Sequence, residues 1–133
     1  MQTKWIWSPN IGVNEFFVDK ECPKDLLRKY NLKLSYIDEG LADDELDFHY
    51  ISNELGFSMV LSNDLICSGF EIWKNLYLND IEIAGLPVYK FIHIMNNMGV
   101  NDLTLDPEGY CYESKELSAL FRVEDDIVTS VSC

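Results

Sequence analysis

The chain has 133 residues, 47% of them hydrophobic and 13% aromatic, enough for one core and short for two. Its 23 acidic and 10 basic side chains leave a net charge of −13, a field that repels nucleic acid and anionic membrane and draws in basic partners. No apolar run approaches the roughly 20 residues of a membrane span, and the opening MQTKWIWSPNIG has no apolar stretch of the kind a signal peptide needs. The expected location is therefore cytoplasmic, with Cys22, Cys67, Cys111 and Cys133 as reduced thiols and no zinc-type spacing among them.

In chain order, a first strand is predicted over residues 14–18. CPKDLLRKYNL then predicts a helix, because Pro23 suits a first turn and Leu26, Leu27 and Tyr30 share a helical stripe. After the connection KLSYIDEGLADDEL come three predicted strands, 47–51, 57–61 and 65–70. In the middle one, Phe57, Met59 and Leu61 alternate with Ser58 and Ser62, the period of a half-buried strand. Ser62-Asn63-Asp64 reads as a tight turn, since Asn and Asp tolerate positive φ.

The pattern then recurs. A strand is predicted over 78–83. GLPVYKFIHIMNNMGV predicts a helix from Pro87 to a stop at Gly99, with Val88, Phe91, Ile92, Met95 and Met98 along one stripe. Strands follow at 109–113, around Ala119, Phe121 and Val123, and over 127–133, with Glu124-Asp125-Asp126 as the last turn. At an offset of sixty-two, Tyr50, Ser52, Glu54, Leu55, Asp64 and Ser68 fall on Tyr112, Ser114, Glu116, Leu117, Asp126 and Ser130. The predicted fold is α+β: a tandem β-α-β-β-β repeat in one domain of residues 1–133, the units spanning about 11–72 and 76–133. Antiparallel sheet carries both helices on one face. The units differ by six residues between helix and meander, and the first has the longer connection, KLSYIDEGLADDEL against NDLTLDPE.

That connection holds the strongest charge signal. Between Lys33 and Lys74 lie nine carboxylates and no basic residue, and Asp38, Glu39, Asp43, Asp44, Glu45 and Asp47 crowd into ten positions. A loop on a rigid scaffold is a common place for recognition, and clustered carboxylates suit a Lys/Arg-lined surface. These six residues, with Trp73 where the chain crosses between units, are the candidate partner-binding residues. No catalytic residues are assigned. His49 and His93 have no sequence-local partner, and there is no phosphate loop or nucleophile motif. DEGLADDELD lacks the spacing of a calcium loop, so no metal and no cofactor are expected.

KWIWSPNIGVNEFF, KYNL, NDLICSGF, KNLYLNDIEIAGLP and FRVEDDIVTSVSC together resemble small bacterial immunity proteins encoded beside polymorphic or contact-dependent growth-inhibition toxins. The likeness spans nearly the whole chain and departs at LYLNDIEIAGL, which is longer than the pattern. The resemblance implies a monomeric, non-enzymatic antidote that binds a cognate toxin C-terminal domain and occludes it. Such toxins are often nucleases, and a basic RNase is one candidate. The alternative is a tandem-repeat inhibitor or adaptor that docks on another enzyme through its sheet face, using Trp73 and Tyr77. A small hydrolase built on His49 or His93 is the weakest reading.

Overall fold

The structure is a computed structural model that describes residues 3–39 and 45–133. It mixes α and β, with most of the residues in regular elements belonging to two sheets. The elements are β1 (Trp5–Ser8), β2 (Gly12–Val13), β3 (Phe16–Phe17), α1 (Lys24–Lys29), β4 (Lys33–Glu39), β5 (Leu46–Ser52), β6 (Phe57–Leu61) and β7 (Cys67–Ile72). They continue with β8 (Leu76–Leu78), β9 (Ile81–Glu82), α2 (Val88–Asn97), β10 (Thr104–Leu105), β11 (Cys111–Ser114), β12 (Ala119–Glu124) and β13 (Ile127–Ser132).

The larger sheet runs β10-β11-β12-β13-β7-β6-β5-β4, antiparallel throughout. Each half of the chain contributes four strands in hairpin order, and the last strand of each half meets the other at the centre, pairing Val131 with Ile72 and Ser132 with Glu71. The register places Phe57, Ile72, Val131 and Phe121 in one row across four strands. All four are fully buried. A row of this kind is what the alternating pattern of the strands encodes, and each such side chain contributes roughly 1.5–3 kcal/mol by leaving water.

That row is covered by α2, through Phe91 on Phe121, and by the smaller sheet, β3-β2-β1-β8-β9, in which β1 and β8 are parallel. Residues Trp5 and Trp7 point to the same side of β1, and each closes a different aromatic cluster. Trp5 stacks on Phe57 at 4.1 Å and touches Tyr30 beyond the end of α1, while its indole N–H donates to the Leu55 carbonyl. Trp7 packs on Phe121, which also takes Phe91 of α2 at 4.7 Å. The β1–β2–β3 turns need Gly12, because a Cβ there would sit 2.0 Å from the Phe16 carbonyl oxygen. Helix α2 ends as expected, with Gly99 at φ +86°.

The echo at offset sixty-two has a local cause. Ser52 and Ser114 are both buried, and each hydroxyl oxygen accepts a bond from the backbone N–H three residues on, at Leu55 and Leu117. The shared Ser-x-x-Leu thus shapes the β5–β6 and β11–β12 turns. Asp125 and Asp126 both adopt positive φ, as the final turn requires.

Four expectations need correction. Within the connection 33–46, residues 33–39 are not loop but form the edge strand β4. Each half therefore carries four strands in the large sheet, where three were expected. The strands expected at 14–18 and 78–83 are instead parts of short hairpins belonging to the smaller sheet. In the first turn, the positive φ falls on Leu65 (φ 62°) rather than Asn63 or Asp64. Leu65 holds that conformation by donating its N–H to the Ser62 carbonyl, while the Ser62 hydroxyl oxygen accepts from the Asp64 and Ile66 N–H groups.

Candidate functional site

One face of the large sheet is covered; the other is open. The open side of the central strands is hollowed into a groove of about 1040 Å³, bordered by residues of both halves. Its floor follows a second register row, Ile51, Ser58, Glu71, Ser132, Leu120 and Glu113. Trp73, half-buried in the turn after β7, stands at its rim, anchored by an N–H bond to the Gly56 carbonyl. Tyr77 lies on β8 in the other sheet, beneath the Lys4 ammonium, so it does not share the groove with Trp73.

At one end, strands β4 and β5 extend the sheet as a hairpin arm. All seven residues of β4 are exposed. Antiparallel register sets Asp38 opposite Asp47 and Glu39 opposite Leu46. Directly opposed side chains share a face, so Asp38 and Asp47 both stand on the open side with Tyr36 and His49, another opposed pair. The Tyr36 and His49 rings stack at 4.0 Å, and His49 Nε2 lies 3.2 Å from Asp38 Oδ2. His49 thus has a partner eleven positions upstream, which linear spacing did not suggest. Glu45 is exposed just before β5, and Leu46 N–H donates to Asn63 Oδ1, tying the arm to the β6–β7 turn. The other side of the arm carries exposed Leu34, Ile37 and Leu46.

Of the expected binding residues, Asp38, Glu39, Glu45 and Asp47 gather on this arm, and Trp73 stands at the groove rim. Asp43 and Asp44 lie outside the described residues. Sequence reading did not single out Tyr36 or His49 as neighbours of the carboxylates. No linear spacing marks them, because the register slips between Leu34 and Tyr36.

Other polar features are structural. The Asp102 carboxylate accepts from the Glu116 N–H and the Ser114 hydroxyl, both at 2.7 Å, and these two bonds hold its pKa below the usual aspartate value. Glu15 is lowered chiefly by Lys29 at 2.6 Å, and it also accepts the Tyr30 hydroxyl. Burial pushes the Cys67 and Cys133 thiols up to about 12. On α2, exposed His93 sits 3.2 Å from Asn97 through Nε2. Among the described residues, no group of three or more His, Cys, Asp or Glu is arranged to hold a metal ion, and no helix is long and apolar enough to cross a membrane. No protein-family model, curated protein or solved structure matches the chain.

Proposed function

We propose that this chain is a stoichiometric binding protein, an immunity-type antidote that occludes a basic toxin domain and performs no chemistry itself. The observation that carries this reading is the arm. It sets Asp38 against Asp47 on an open face, with Glu45 just before β5 and Glu39 on the arm's other side opposite Leu46, in a stretch with no basic residue between Lys33 and Lys74. Opposing like charges across a strand pair costs stability. A basic partner removes that cost on binding and gains charge-assisted hydrogen bonds. Steering by such a field raises association rates by about 10- to 1,000-fold at low salt.

On this reading the two halves are copies of one unit, a helix followed by an antiparallel meander, and the copies differ where function resides. Support comes from the mirrored strand order about β7 and β13 and from the equivalent Ser52 and Ser114 turns. The first copy has a seven-residue edge strand, β4, where the second has the two-residue β10. The protein acts in the cytoplasm, as a monomer paired one-to-one with the toxin domain.

The test is coexpression with the variable C-terminal domain of any large secreted protein encoded beside this chain. Restored growth and a copurifying one-to-one complex are expected. Unrescued growth with no complex, for a toxin domain shown to be active alone, contradicts the reading. The alternative, docking on another enzyme through the sheet face, draws on the groove and Trp73. Trp73→Ala that abolishes binding, with the arm carboxylates dispensable, would favour it.

A further inference from the structure

The sheets end in four edges, and three of them are blunted. The outermost strands β3, β9 and β10 have two residues each, too short to template another strand. The fourth edge is β4, with seven exposed residues. Among the described residues its only strand partner is β5, so its outer row of alternate N–H and C=O groups is left open. Beyond the bulge between Leu34 and Tyr36, the segment Tyr36–Ile37–Asp38–Glu39 pairs with β5 in unbroken register. Both faces of this edge carry something to recognise. Tyr36 and Asp38 face the open side, and Ile37 and Glu39 face the other, where Leu34 and Leu46 are also exposed.

We infer that the partner docks by adding a strand to the outer edge of β4, and that this strand alternates basic with apolar residues. Main-chain bonds to an open edge supply affinity, and alternate side chains supply specificity. Lys or Arg on the added strand would meet Asp38 on the open side, with Asp47 one strand further in, while its apolar residues would meet Ile37 on the other. The charge pattern selects the occupant. A second copy of this chain carries the same net charge of −13, so the approach of two copies is opposed by like charge, whereas a basic strand is attracted. This inference rests on the reading of a basic partner and specifies how that partner is held.

Three capped peptides test it: alternating Lys and Val, alternating Glu and Val, and the Lys–Val peptide with alternate backbone nitrogens methylated. Titration is followed by calorimetry, and amide exchange of β4 by NMR. The Lys–Val peptide is expected to bind and to slow exchange of the outward β4 amides, and the Glu–Val peptide is expected not to bind. Methylation keeps the charge and removes donors, so the methylated peptide should bind about tenfold more weakly, the equivalent of one or two net hydrogen bonds. Equal binding of methylated and unmethylated peptides, without β4 protection, overturns strand addition and leaves side-chain recognition of a basic partner standing. Failure of both basic peptides to bind overturns both. Concentration-dependent dimerisation in sedimentation, lost on Ile37→Lys, would instead assign the edge to a second copy and overturn the proposal.

Discussion

The opposed pair Asp38–Asp47 makes the arm's cost measurable. Directly opposite residues have Cβ atoms about 4.5–5.5 Å apart, and the carboxylates can splay to roughly 6 Å. Two unit charges at that separation in water repel by about 332/(80 × 6), or ~0.7 kcal/mol. Asp47 is the member to change, because Asp38 also lies beside His49. Asp47→Asn keeps the shape and removes the repulsion, so it should stabilise the free protein by about 0.5 kcal/mol at low ionic strength. For a chain of this size that raises Tm by roughly 2 °C. At 1 M salt, where the screening length is about 3 Å, most of the gain should vanish. Thermal unfolding of wild type and variant at both ionic strengths reads the difference directly. A neutral or destabilising Asp47→Asn at low salt, or a gain unaffected by salt, would refute the reasoning that these carboxylates are held together against their mutual repulsion.

Other consequences follow from the scaffold. Ser52→Ala should cost about 1 kcal/mol in urea denaturation, because one buried hydroxyl acceptor is lost. Ser114→Ala should cost more, since that hydroxyl also donates to Asp102. The Asp102 carboxylate is depressed in the folded state, so its contribution is present above the normal aspartate range and disappears as pH falls through its folded value. Asp102→Asn should therefore lose stability at neutral pH and flatten the acid limb of the stability profile; an unchanged acid limb would contradict that. Cys67 and Cys133, with thiols raised to about 12, should resist alkylation at pH 8 in the native protein and react once it is denatured. Phe121→Ala, which empties the centre of the second aromatic cluster, should cost about 3–5 kcal/mol by calorimetry, a large part of a typical domain's stability.

Much of this fold is legible from two periodicities. Phe57, Met59 and Leu61 declare β6, as Ala119, Phe121 and Val123 declare β12, because a strand covered on one face forces apolar residues onto alternate positions. Val88 to Met98 declares α2 by its stripe. Strand β4 escapes the same test for a physical reason. It is exposed throughout, so burial imposes no alternation on it, and the slip between Leu34 and Tyr36 breaks what pattern remains. Three strands of the smaller sheet, β2, β3 and β9, are hidden by their length, since two residues carry no period. The candidate site divides in the same way. Clustered charge marked Asp38, Glu39, Glu45 and Asp47 along the sequence, but only pairing with β5 puts Asp38 opposite Asp47 and His49 against Tyr36.

The central claim is that the acidic arm receives a basic protein domain. It is tested most directly by stopped-flow association with the C-terminal domain of any large secreted protein encoded beside this chain, at increasing salt, for wild type and for Asp38→Ser/Glu39→Ser/Glu45→Ser/Asp47→Ser. The account predicts a wild-type rate that falls steeply with salt, by about 10-fold or more between low and physiological ionic strength. It also predicts a variant that associates slowly at every salt concentration. A rate that does not depend on salt, or a variant as fast as wild type, would contradict it.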